Sequence, residues 1–109
     1  GSCSPWRADR GGVATSIVDQ DLMGPAREVL PDVIDLRRRL HLHPELGLEL
    51  PRTQAAVLDA LEGLGLDVSV GERLSSVVAD LDGGRPGPTV LLRGDMDALP
   101  MTEDTGLDF

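Results

Sequence analysis

The stretch Leu91-Leu92-Arg93-Gly94-Asp95-Met96-Asp97-Ala98-Leu99-Pro100 sets two carboxylates two residues apart behind a short apolar run. Thr89-Val90-Leu91-Leu92 is rich in strand formers, so the pattern predicts a short buried strand that gives way at Arg93. In α/β sheets, ligand sites gather beyond the end of such a strand. An extended backbone there would turn Asp95 and Asp97 to one side and Met96 to the other, into apolar packing, because side chains alternate with period two. Arg93 is placed to pair with either carboxylate or to finish the strand.

Moving towards the N-terminus, Asp82-Gly83-Gly84-Arg85-Pro86-Gly87 is turn chemistry throughout. Residues 76–81 before it read as another strand, expected to neighbour residues 89–92 in one sheet or form a hairpin with them. Leu66, Val68 and Val70 alternate with Asp67 and Ser69, the period of a half-buried strand. Pro51 suits the first position of a helix carrying Val57, Leu58, Leu61 and Leu64 on one face, and Gly63 and Gly65 should end it. Val33, Leu36 and Leu40 recur with helical spacing around Arg37, Arg38 and Arg39. That helix should stop near His43, because a residue preceding proline is pushed out of the α region, and Gly47 then helps the chain turn. Pro25 and Pro31 bracket what reads as a short apolar turn before it. Residues 1–24 show no useful periodicity and read as a flexible leader. The domain organisation is therefore a leader over 1–24 and the opening of one larger α/β domain over 25–109.

Composition narrows the function. The 109 residues are 40% hydrophobic but only 2% aromatic, so the core should be thin and built from Leu, Val and Ala. By size scaling a chain this long buries about two-thirds of its unfolded surface. The formal net charge of -9 disfavours nucleic acid and anionic membrane surfaces as partners. Cys3 is the one cysteine, so no intramolecular disulfide forms and a reducing cytoplasm is the expected location. No apolar run approaches the length of a membrane span, and the first residues lack a signal-peptide pattern.

An Asp-x-Asp behind a strand is by itself a weak signal, since two loop carboxylates capping a turn look the same. A calcium-binding EF-hand loop fails because Leu99 and Pro100 stand where that loop needs an oxygen ligand and a glycine. A phosphotransferase of the haloacid dehalogenase type is an alternative reading, but Arg93-Gly94 separates the strand from its first Asp. His41 and His43 diverge on a helix and have no third ligand nearby in sequence, so structural roles are favoured over metal binding. The arginine triplet is read as complementing the helix dipole rather than binding an anion.

Two blocks change the weighing. Arg93-Gly94-Asp95-Met96-Asp97-Ala98-Leu99-Pro100 resembles the Arg-x-Asp-Met-Asp-Ala-Leu-Pro signature of the metallopeptidase-superfamily amidohydrolases, which include hippurate hydrolases, N-acyl-amino-acid amidohydrolases and auxin-conjugate hydrolases. Arg38-Arg39-Leu40-His41-Leu42-His43-Pro44-Glu45-Leu46-Gly47 is similar to their Arg-x-Leu-His-x-x-Pro-Glu-Leu segment, with Glu49 and Thr53 at the usual distance. Two blocks in the right order, about fifty residues apart, make coincidence improbable. One departure is Leu50, where many relatives have a second Glu; it alters a helix start without touching the chemistry.

The resemblance implies a metal-dependent amidohydrolase acting on small-molecule N-acyl amino acids or related amides, with two divalent ions, Zn²⁺ or Mn²⁺, sharing an activated water. It implies the start of a mixed-sheet, two-metal exopeptidase-like catalytic domain, with the lid domain and the rest of the sheet lying elsewhere, and it allows a homo-oligomer. Asp97 matches the catalytic-site Asp that hydrogen-bonds a metal-bound His and fixes its orientation. Asp95 is the candidate for a supporting carboxylate that touches no metal. No metal ligand is expected within these residues, and Cys3 is not the family's ligand cysteine. The chain is thus expected to be the N-terminal piece of such an enzyme, marginally stable and inactive alone; the alternative is a truncated, non-catalytic piece.

Overall fold

Asp21 and Leu22 open the first helix among the described residues. The Met23 N–H donates to the Asp21 carboxylate at 3.0 Å and the Ala26 N–H donates to the Leu22 carbonyl at 3.0 Å, which satisfies donors that a helix start otherwise leaves orphaned. A computed structural model describes residues 21–109. Cys3 and most of the expected leader therefore lie outside the described residues. Contacts within the chain divide it into Gly1–Leu30 and Pro31–Phe109.

Helix α1 spans Met23–Leu42 and includes Pro31. The sequence expectation of a turn between Pro25 and Pro31, followed by a separate helix, is corrected here: one helix carries both prolines. Pro25 falls in the first turn, where a missing N–H costs nothing, whereas Pro31 removes one interior hydrogen bond. The remaining ladder of a 20-residue helix absorbs that loss. Of the expected apolar stripe, Leu36 and Leu40 are half-buried and Val33 is exposed.

Helix α2 spans Pro51–Leu61, with proline at its start as the sequence predicts. It ends before Gly63 and Gly65, whose φ angles of 78° and 70° lie in the left-handed region that glycine occupies without steric cost. Strands β1 (Asp67–Val70) and β2 (Val77–Asp80) then pair antiparallel, Val70 facing Val77 and Asp67 facing Asp80. Beyond them the Gly71 N–H donates to the Ser76 carbonyl at 3.1 Å. A Cβ on Gly71 would lie 2.5 Å from the Leu74 carbonyl oxygen and closer still to the Ser76 hydroxyl. Gly71→Ala is accordingly expected to cost about 1–3 kcal/mol by forcing backbone apart, seen as a lower urea midpoint of the far-ultraviolet signal.

Among the described residues the fold is α/β, two helices and a two-stranded sheet, and its core is smaller than composition suggested. Leu50 and Thr53, both 4% exposed at the start of α2, are the buried residues among those described. Val57, Leu61, Leu66 and Val77 around them stop at half-burial, and many other apolar side chains are exposed. Helix α2 lies against β2, tied by the Gln54 amide donating to the Ser76 carbonyl at 3.1 Å. Ser75 fastens the approach to α2: its hydroxyl accepts from the Leu50 N–H at 2.8 Å and its N–H donates to the Leu48 carbonyl at 2.9 Å.

Residues 81–109 form neither helix nor strand, which corrects the expected strand over 89–92. Val90, Leu91 and Leu92 are 79%, 88% and 90% exposed. A strand exists only through a neighbour's N–H and C=O groups, and this run pairs with none among the described residues. The hairpin accordingly forms between β1 and β2, one pairing earlier than expected. The turn at Asp82 behaves as its residues predict, with the Gly84 N–H donating to the Asp82 carboxylate at 2.8 Å.

Candidate functional site

A half-open cleft of about 880 Å³ lies within Pro31–Phe109, between the end of α1, the start of α2 and the loop that carries the Asp-x-Asp pair. Leu40 and His41 come from α1, Glu45 from the connection, Thr53 and Val57 from α2, and Asp95, Met96 and Asp97 from the loop. The two motif stretches, distant in sequence, thus meet on one surface.

Glu45 is the hinge of this arrangement. Its carboxylate accepts from the Thr53 N–H at 2.6 Å, the Thr53 hydroxyl at 2.8 Å and the Arg52 N–H at 3.3 Å. Leu50, which flanks the helix as its cap residue, has no side chain able to accept, so Glu45 caps α2 from outside the helix. Burial pushes the Glu45 pKa up, but the Thr53 N–H and hydroxyl, the Arg52 N–H and the Arg52 charge outweigh it and hold the carboxyl below its ordinary value. The Glu45 backbone carbonyl accepts the Ala98 N–H at 2.8 Å.

Along the loop, Asp95 and Asp97 are exposed while Met96 and Ala98 are half-buried. All four line the cleft. Arg93 makes the choice that the sequence left open, its guanidinium lying 2.8 Å from the Asp95 carboxylate. Both side chains are well exposed, so the pair adds at most about 1 kcal/mol to stability, but it occupies Asp95. Asp97 makes no ion pair among the described residues and stands open to the cleft.

His41 lines the cleft, its Nε2 3.4 Å from Glu103. His43 is exposed and lies outside the cleft, and its N–H closes the end of α1 on the Leu40 carbonyl at 3.2 Å. The arginines have partners beyond the helix dipole. Arg39 lies 3.3 Å from Asp35 and 4.0 Å from Asp59 of α2. Arg38 and Arg37 stand over the Phe109 ring at 4.2 and 5.8 Å from its centroid, each such cation–π contact worth about 0.5–1 kcal/mol at an exposed site. Glu103 and Phe109, in a segment with no ladder of its own, thus both meet residues of α1.

Curated relatives point the same way as the two motifs. Over 91 residues the chain is 41% identical to thermostable carboxypeptidase 1 of Saccharolobus solfataricus, covering 83% of the chain and 23% of that enzyme. It is 45% identical to N-acetyldiaminopimelate deacetylase of Halalkalibacterium halodurans over 80 residues, 72% of the chain and 22% of the relative. It is 43% identical to N-acyl-L-amino acid amidohydrolase of Geobacillus stearothermophilus over 83 residues, 75% of the chain and 22% of the relative. The chain belongs to this amidohydrolase and carboxypeptidase family. It spans about a fifth of the length of these hydrolytic relatives. No family model matches it, and no solved structure matches it significantly.

The sequence resemblance implied two divalent ions, and the described donor set bears on that expectation. No three His, Cys, Asp or Glu side chains converge among the described residues. Glu45 is committed to α2 and Asp95 to Arg93. The described residues of this amidohydrolase-family chain therefore do not make a metal centre by themselves.

Sequence reasoning missed Glu45 and Thr53 as partners, although Glu45 stood inside the quoted motif and Thr53 at the usual distance after it. A carboxylate six residues ahead of Pro51 is not at capping-box spacing, so the one signal was that the same resemblance named both.

Proposed function

We propose that this chain serves a metal-dependent amidohydrolase acting on N-acyl amino acids or related small amides, with Asp97 as its contribution to catalysis. The observation that carries the reading is the open Asp97 carboxylate in a cleft built from both motif stretches. A cleft of about 880 Å³ falls within the range of about 300–1,000 Å³ that small ligands occupy. An exposed carboxylate on a pinned backbone is suited to accept the N–H of an imidazole and hold its tautomer and direction. Asp95, neutralised by Arg93, is the supporting carboxylate.

The family resemblance brings two divalent ions, Zn²⁺ or Mn²⁺, whose chemistry when bound is to acidify a water. Their ligands are proposed to be residues other than those described, and the mixed sheet and lid domain belong to the same proposal. The proposed setting is cytoplasmic; no described helix is long and apolar enough to cross a membrane. The relatives, all named for hydrolytic enzymes, give no support to the phosphotransferase alternative.

The test is turnover by the protein expressed from its whole reading frame, loaded with Zn²⁺ or Mn²⁺ and offered N-acetyl amino acids. Release of the free amine, abolished by a chelator and restored by the metal, is the expected result. Absence of release from every N-acyl substrate by the folded, metal-loaded protein would overturn the proposal.

A further inference from the structure

We propose that Glu45 is a positioning residue that couples the start of α2 to Asp97. The inference rests on the role proposed for Asp97, but its geometry is independent of it. Glu45 uses two chemically separate groups. Its side chain takes three donors from Arg52 and Thr53, and its backbone carbonyl takes the Ala98 N–H.

The Ala98 N–H belongs to the peptide plane that begins at the Asp97 carbonyl, so holding it restricts the Asp97 ψ angle and with it the direction in which the carboxylate leaves the loop. The loop has no helix or strand to do this: residues 81–109 carry neither. On the other side of Asp97, the Arg93 contact is between exposed groups and restrains little. The Glu45 to Ala98 bond is therefore the fixed point nearest Asp97. Its acceptor is held in turn because charge-assisted bonds from a helix start are the stronger kind, and Thr53 is 4% exposed, shielded from competing water. On this account the His43-Pro44-Glu45 segment accompanies the Asp-x-Asp segment in one sequence because the first braces the second.

The test is amide hydrogen exchange at Ala98 in the full 109-residue chain, read by NMR. Substitution acts by freeing the segment around residue 45, since the backbone acceptor survives any side-chain change. Glu45→Ala should lower Ala98 protection about tenfold or more, whereas Glu45→Gln, which keeps an acceptor for Thr53, should stay within about threefold of the parent. The Val70 and Val77 ladder amides should not change in either. If Glu45→Ala melts that ladder, Thr53→Val carries the test, with a loss of about two- to tenfold at Ala98 while the ladder persists. In the whole enzyme, Glu45→Ala should lower kcat about tenfold with KM little changed, and Glu45→Gln should recover most of it.

Unchanged Ala98 protection in Glu45→Ala, or in Thr53→Val where that variant carries the test, would overturn the proposal, as would a Gln variant as impaired as the Ala variant. Exchange needs no turnover. Lost protection together with a parent protein that hydrolyses nothing would remove the proposed function and leave the brace standing; retained protection in a working hydrolase would remove the brace alone.

Discussion

On the role proposed for it, Asp97→Ala is expected to lower kcat of the proposed amidohydrolase about 10- to 100-fold, the range found when a carboxylate that orients a metal-binding imidazole is removed. Thermal midpoint should scarcely move, because Asp97 is exposed and makes no ion pair among the described residues, and such surface changes usually stay within about 0.5 kcal/mol. Asp97→Asn should fall between the two proteins, because it keeps an acceptor oxygen but loses the charge that, in the proposed role, raises the basicity of the imidazole it orients. Asp95→Ala should cost less than Asp97→Ala, since Asp95 is already neutralised by Arg93 at 2.8 Å. Steady-state kinetics on an N-acetyl amino acid, with bound metal measured alongside, checks the series. An Asp97→Ala enzyme with parental kcat and metal content would remove Asp97 from the site.

Leu50→Ala should have the largest effect on stability, about 2–5 kcal/mol, the usual cost of deleting a buried leucine side chain together with the cavity left behind. The reason is concentration. Leu50, 4% exposed, is the buried apolar residue among those described, and it sits where the Ser75 hydroxyl, the start of α2 and the Glu45 cap come together. A domain with a larger core would spread the loss over many neighbours; here about 2 kcal/mol is a substantial share of what holds α2 against β2. Urea titration of the 109-residue chain checks this. The expected result is loss of the cooperative transition or a midpoint shifted far down, while Leu92→Ala, at a side chain 90% exposed, should leave it in place.

The departure at residue 50 takes on a different meaning in this light. Read in sequence, Leu50 in place of Glu changed only a helix start. In the structure it exchanges a possible capping side chain for buried apolar surface, and the capping passes to Glu45, five residues earlier. Neither half of that exchange follows from spacing alone, because the cap is delivered by chain that has already turned back on the helix.

Local chemistry explains what could be read without coordinates. Pro51 at a helix start, Gly63 and Gly65 after its end, the Asp82 turn and the two valine-rich strands depend on residues within a few positions of each other, so the amino-acid sequence by itself determined them. It also determined the family, because the motif blocks around Glu45 and Asp97 are patterns of residue types and need no fold to be recognised. Only the tertiary structure decided that α1 runs unbroken through Pro31, that residues 89–92 lack a strand partner among the described residues, and that Arg93 takes Asp95 and leaves Asp97 open. It alone showed Glu45 bonded on one side to Thr53 and on the other to Ala98. Those outcomes turn on which groups meet across about fifty residues of chain, and a strand, a cap or an ion pair exists only when its partner arrives.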